Sequence, residues 1–213
     1  RNAQTLQAFV DKHKGSQAVV LDVGDSTAIH AAAKYIQEQQ GLDVVMYCAG
    51  HYQAMRAMSY SMPQLLRHLD INYTGALRVL DATLPTLLSQ GKGHLSFISS
   101  VAGFRGLPQS LAYGPTKAAL INLTETLYYD LSPKGIGVSL INPGFVDTPL
   151  VAANDFPMPA LISPEIAAAE ILKGWSVGEF HIHFPKRFSR LLLLLRLLPY
   201  RWYFGLVRRS TGM

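Results

Sequence analysis

The sequence predicts an α/β domain built on a doubly wound parallel sheet, and two observations carry that prediction. Short apolar runs, QAVVLDV, LDVVMY, HLSFIS and GVSLIN, alternate with longer stretches whose apolar residues recur at helical spacing. Runs that are apolar throughout, rather than at every second residue, belong to strands covered on both faces. The second observation is a Tyr and a Lys four residues apart, Tyr113 and Lys117, opening a helical stretch soon after a strand-like run that ends in Ser99 and Ser100.

Taken in order, Asn2 is placed to cap a helix through LQAFVDKH, which Gly15 stops. QAVVLDV reads as a buried strand ending at Asp22, followed by a helix from about Ser26 to Gln40 and the strand LDVVMY. A long helical region from Pro63 to Gln90 leads into HLSFIS. The helix opening at Tyr113 tolerates Pro115 because that residue falls in its first turn. After GVSLIN, the segment from Asn142 to Pro149 is a rigid turn, and Ser163, Pro164 and Glu165 start a further helix with Ser as its cap. His181 and His183 alternate on the strand-like FHIHF and share a face, but no acid or cysteine nearby completes a ligand set, so no metal is expected.

With 213 residues the chain fits one domain with a sizeable core, expected over residues 1–185, followed by a tail at 186–213. The net charge of +5 is unevenly placed. Lys186, Arg187, Arg190, Arg196, Arg201, Arg208 and Arg209 all lie in the tail, no acid follows Glu179, and the remaining chain has fewer basic than acidic residues. In the tail, leucines interleave with arginines and with Trp202, Tyr203 and Phe204; Arg196 and Pro199 interrupt an apolar run already too short to cross a bilayer. Such a segment either lies in a membrane interface or packs on protein, and a nucleic-acid role has no supporting motif. Cys48, the only cysteine, excludes an intrachain disulfide and reads as a buried small residue. No signal peptide is recognisable and a cytoplasmic location is expected, with the tail available to a membrane surface.

A free phenol, with a pKa of about 10, exchanges protons poorly at neutral pH, and a nearby ammonium group favours its ionised form. Lys117 stands one helical turn from Tyr113 and can supply that charge. A hydroxyl at the carboxyl end of a strand, where open α/β sheets bind ligands, would complete a pair able to polarise a carbonyl and protonate it.

Ser100, the following VAG, Gly106, Pro108, Tyr113 and Lys117 resemble the active-site segment of the short-chain dehydrogenase/reductase family, and Ser100 precedes Tyr113 by thirteen residues, the spacing that family uses. The resemblance covers roughly residues 1–148 and implies a Rossmann-like fold that interconverts a carbonyl and a secondary alcohol with NADP(H) or NAD(H). It implies a catalytic set of Asn72, Ser100, Tyr113 and Lys117. Ser100 would orient the substrate oxygen, Tyr113 exchange its proton, Lys117 depress the Tyr pKa and hold the ribose, and Asn72 hold a water that links Lys117 to solvent.

For cofactor binding the resemblance points to Arg1, Asp22, Val23, Ala49, Gly50, Tyr113, Lys117, Pro143, Gly144, Val146 and Thr148. Arg1 matches the NADP version of the pattern; Asp22 and Val23 match an adenine contact, although Asp22 could equally cap the next turn; Val146 and Thr148 match a nicotinamide contact. Tyr47 and Cys48 stand where the family has two asparagines. Phe156, Met158 and Leu161, in the loop that covers the substrate in this family, hint at an apolar substrate. Homodimers or homotetramers through the Pro63 and Tyr113 helices are expected by analogy.

The glycine-rich phosphate loop of the family is missing. With QAVVLD as strand 3 and DVVMY as strand 4 of the order 3-2-1-4-5-6, a gap two strands wide is expected, and the sequence reads as a piece of a longer protein. A second reading, of a different class, is a non-catalytic membrane-surface or partner-binding protein derived from such a reductase.

Overall fold

In the computed structural model the described residues are 2–39, 41–152 and 158–212. The first helix, α1 (Ala3–Lys12), begins where the Asn2 side chain accepts from the Thr5 N–H at 3.1 Å, the expected cap. It leads through Gly15, at φ +89°, to a segment without regular structure and α2 (Ser26–Gln39). The rest of the chain supplies β1 (Val44–Tyr47), α3 (Met62–Leu69), α4 (Gly75–Gln90), β2 (Gly93–Ile98), α5 (Tyr113–Leu131), β3 (Ile136–Pro143), α6 (Pro164–Ser176), β4 (His181–Phe184), α7 (Lys186–Arg196) and α8 (Tyr200–Thr211).

The four strands form a parallel sheet in the order β1-β2-β3-β4, with Val44 beside His94, Leu95 beside Val138 and Ile141 beside Ile182. Alternation along the strands divides the core between the two faces. Leu95, Phe97, Ile136 and Val138 pack with Ala76 and Leu87 of α4 and Leu120 and Leu127 of α5. Ile141, Ile182 and Phe184 pack with Ala167 of α6 on the other face, where Trp175 Nε1 donates to the buried Ser96 hydroxyl at 2.9 Å. This is the doubly wound sheet that the apolar runs predicted.

QAVVLDV does not become a strand. Residues 17–21 form no regular element and join no sheet among the described residues, and Val19 and Val20 are 45% and 54% exposed. An apolar run becomes a strand only where a neighbour takes its backbone hydrogen bonds, and β1 is the sheet's edge on that side. The edge position also leaves Val44 and Met46 exposed. Cys48, just past β1, is exposed rather than buried, because it follows the inward-facing Tyr47 on this uncovered edge.

Between α3 and α4 the helical rod widens into a π turn at Asp70–Thr74, a feature that concentrates at functional positions. Beside it, the Arg78 guanidinium pairs with Asp70 at 2.8 Å and donates to the Val23 carbonyl at 3.1 Å, which ties the segment before α2 to the rod. Ser163 caps α6 as expected, accepting from the Ile166 N–H at 3.4 Å.

Gly103 lies in the 3-10 turn that follows Ser100, directly on the backbone of α5. A Cβ there would stand 2.7 Å from the Lys117 carbonyl carbon and 2.9 Å from the Ala118 nitrogen. Backbone cannot swing aside, so Gly103→Ala should cost about 1–3 kcal/mol in urea denaturation. Gly106→Ala, with open space around the new methyl, should stay within about 0.5 kcal/mol of wild type in the same measurement.

Candidate active site

All four strands end on one edge of the sheet, and the site is assembled there. Past β2, Ser99 and Ser100 have separate tasks. The Ser99 hydroxyl donates to the Lys117 carbonyl at 2.8 Å, fastening α5 to the sheet. Ser100 is extended, at φ −170°, and its oxygen accepts from the Ala102 N–H at 3.1 Å, starting the turn that Gly103 packs on α5. The Ser100 side chain also lies beside the Tyr113 phenol and acts to lower its pKa.

Lys117 is 3% exposed, and its Nζ donates to the Ile98 carbonyl at 2.8 Å, so the ammonium sits at the end of β2. It lies 5.5 Å from the centre of the Tyr113 ring. Helical spacing brings both residues to one face, as the sequence predicted.

The expected electrostatics differ. Burial pushes the Tyr113 pKa up to about 12; the Ser100 hydrogen bond pulls it down by less, and the nearby Tyr52 adds to the rise. Burial also pushes Lys117 down, from its ordinary 10.5 to about 8. The net shift of the phenol is therefore upward, the reverse of the expected depression. Desolvation penalises both charged forms and is the largest cause of each shift.

Asn72, in the π turn, is fully buried. Its Oδ1 accepts from the His51 N–H at 2.7 Å, while Nδ2 donates to the His51 carbonyl at 2.9 Å and to Thr116 Oγ1 at 3.0 Å. These are the contacts of a clamp joining the loop after β1, the π turn and α5. They use both amide N–H groups, so a bound water can meet this side chain only through the remaining lone pair of Oδ1.

Three residues of this neighbourhood escaped the sequence reading. His68 is fully buried, with Nδ1 on the Gln64 carbonyl at 2.7 Å and Nε2 accepting from the Gln53 N–H at 3.0 Å, which fixes it as the neutral Nδ1–H tautomer. It holds the loop that carries Tyr52, whose ring meets Tyr113 edge-on at 5.1 Å. His51 stands against His68 with ring centres 4.5 Å apart. The available signal was the position of His68, one helical turn before Asn72.

Most of the expected cofactor positions that are described lie in the loops after β1 and β3 and in the segment before α2. Ala49 packs on the core below the loop after β1, and Gly50 leaves its surface open, with only Asn72 Oδ1 within 4 Å of an added Cβ. Asp22 Oδ1 accepts from the Gly24 N–H at 2.9 Å, the turn-capping contact that its sequence position left open. Val23 packs against Gly75 of α4. Past Pro143, Gly144 donates to the Phe184 carbonyl at 2.7 Å, and Val146 forms a parallel bridge with Ile162. That bridge uses the amides of Asp147 and Ile162, which leaves the Val146 N–H on the opposite edge, and Thr148 Oγ1 donates to the Val146 carbonyl at 3.3 Å. Arg1 and Phe156 lie outside the described residues.

The paired histidines have protein partners. His181 accepts from Asn142 Nδ2 at 2.9 Å and lies edge-on to Phe104, and burial with the adjacent His183 and Lys186 pushes it down to about 4. His183 Nδ1 meets the Ser189 hydroxyl at 2.7 Å. Among the described residues no three His, Cys, Asp or Glu side chains are grouped to hold a metal.

The sequence matches the short chain dehydrogenase family model over residues 1–156. An uncharacterized oxidoreductase of Myxococcus xanthus is 34% identical over 98% of this chain and 85% of its own length. The chain belongs to the short-chain dehydrogenase family. It is an oxidoreductase of that type, built on the family's Rossmann-like fold. A short-chain dehydrogenase from Streptomyces avermitilis superposes with a TM-score of 0.82 at 23% identity, covering all of this chain and 86% of that one. ElxO, solved with NADP bound, superposes with a TM-score of 0.72 at 20% identity, covering 85% of this chain and 84% of that one.

The shifted Lys117 pKa makes a prediction with a definite sign. Its folded value of about 8 lies below the ordinary 10.5, so between the two the unfolded chain binds more protons and stability rises with pH. Denaturant unfolding at pH 7.5 and pH 9 should show wild type gaining on Lys117→Met across that interval; a constant difference would mean the ammonium titrates normally.

Proposed function

We propose that this short-chain dehydrogenase uses NADP(H), in preference to NAD(H), to interconvert an apolar ketone or aldehyde with its alcohol. The single observation that carries the reading is the buried ammonium of Lys117 on the Ile98 carbonyl, beside a phenol that Ser100 contacts, at the carboxyl edge of a parallel sheet. An ammonium has three N–H donors, and one is engaged by Ile98. A ribose diol supplies acceptors for the others, so the residues present fit a dinucleotide at this edge.

A bound nicotinamide supplies the hydride. The chain's own part begins with Tyr113, a phenol that is protonated at neutral pH at its ordinary pKa of about 10 and that burial raises further. In the reductive direction the phenol gives its proton to the carbonyl oxygen as the carbon accepts the hydride, and the Ser100 hydroxyl orients that oxygen. The phenolate left behind gains from the Lys117 charge at the moment when that charge is useful. Asn72 acts by position, holding the His51 loop and Thr116, whose hydroxyl donates to the Tyr113 carbonyl at 2.7 Å.

Support for NADP comes from Arg1, which matches the family's basic residue, and from the NADP-bound ElxO relative. Leu161, exposed and next in sequence to Ile162 of the Val146–Ile162 bridge, and the half-buried Met158 support an apolar substrate.

Removing the proton donor should lower turnover by about 10²–10⁴-fold. NADPH oxidation measured on a panel of apolar ketones and aldehydes should show that loss for Tyr113→Phe, while NADPH binding followed by fluorescence stays within about threefold. Turnover unchanged in Tyr113→Phe would reject the assignment. A folded wild-type sample that binds neither NADPH nor NADH would favour the non-catalytic, surface-binding reading instead.

A further inference from the structure

The last two helices present a face that the reaction does not explain. The inner side of α7 belongs to the core, for Phe188, Leu192 and Leu193 pack on Val101, Phe104, Ile121 and Leu140. Its outer side carries Leu191 and Leu194, both exposed, and the corner beyond it carries Leu197 at 80% exposure. On α8, Tyr203 is buried and donates to the Gly106 carbonyl at 2.7 Å, while Trp202, Phe204 and Leu206 are exposed.

This face is held in place rather than frayed. The Arg105 guanidinium donates to the carbonyls of Leu195, Arg196 and Leu198 at the end of α7, and stands 4.5 Å and 4.1 Å from the ring centres of Tyr200 and Tyr203. Helix-end carbonyls and two aromatic faces satisfy one cation, so the α7–α8 corner is fixed to the loop that follows Ser100.

The charges around the exposed leucines have one sign. Among the described residues no carboxylate pairs with Arg187, Arg190, Arg196, Arg201, Arg208 or Arg209, and no acid follows Glu179, which pairs with Lys186. Arg187 and Arg190 share the outer side of α7 with Leu191 and Leu194, by helical spacing. At the corner, Phe104, Arg196, Leu197 and Pro199 line a cleft of about 420 Å³ that combines apolar walls with a guanidinium.

Exposed leucines and a tryptophan set among arginines with no acidic counterpart match the layered chemistry of a bilayer surface, acyl chains below and anionic phosphates above. No described helix is long and apolar enough to cross a membrane. We propose that the outer face of α7 and α8 docks this enzyme on an anionic lipid surface, with Leu191, Leu194, Leu197 and Trp202 entering the interface and the arginines meeting the headgroups.

The test uses the full chain with phosphatidylcholine vesicles, with and without phosphatidylglycerol. Affinity should be about a hundredfold higher on the anionic vesicles and should weaken steeply with salt. Trp202 emission should shift to the blue on binding, and Trp202→Phe should remove that shift while binding persists. Leu194→Glu with Leu197→Glu should lower vesicle affinity at least about tenfold. Arg208→Glu with Arg209→Glu, at exposed positions away from the core, should do the same through charge alone.

Equal affinity for neutral and anionic vesicles, or no vesicle binding by a folded sample at low salt, overturns the proposal. So does light scattering that shows a dimer dissolved by the leucine substitutions in a chain that ignores vesicles, since the face would then be covered by a second copy. NADPH binding read in the same samples keeps this outcome separate from the reaction assignment.

Discussion

The site depends on one buried cation finding one backbone carbonyl. A lysine ammonium in the interior is tolerated only where acceptors replace lost water, and Lys117 takes the Ile98 oxygen at the very end of β2. That bond fixes the register of α5 against the sheet, and the Ser99 hydroxyl repeats the connection through the Lys117 carbonyl. Once α5 is seated, Tyr113 and Ser100 meet without further adjustment, because Gly103 lets the intervening turn lie directly on the helix. Packing and chemistry share the same few contacts.

Most of the architecture was legible because burial leaves a strong periodic trace. The runs that became β1, β2 and β3 are mostly apolar without strict alternation, and the Tyr113 helix starts at the residue its pattern indicated. QAVVLDV shows the limit. Its composition is that of a strand, but composition records what a segment could bury and says nothing of whether a neighbour is there to accept its backbone. Cys48 failed for the same reason, since residue type forecasts burial only where the fold provides cover on both sides.

Within the candidate site, spacing placed Tyr113 and Lys117 on one face of one helix, and the structure has them there. What spacing could not recover was the outcome of competing energies. A nearby ammonium lowers a phenol pKa and burial raises it; the balance turns on depth and separation, which the sequence does not encode locally. Partners remote in the chain were equally hidden. Nothing near Arg105 announces that its guanidinium will hold carbonyls some ninety residues onward, nor does the His68 neighbourhood reveal that its ring receives the Gln53 N–H.

The π turn at Asp70–Thr74 gives the α3–α4 rod a fixed length in a stronger sense than packing alone would. Each helical residue advances the azimuth by about 100°, so adding or deleting a single position on either side would swing one half of the rod relative to the other. Either Asn72 would face away from His51 and Thr116, or Ala76 and Leu87 would leave the sheet. The rod can therefore accept exchanges of side chain more readily than changes of chain length, which the loops at its two ends are free to absorb.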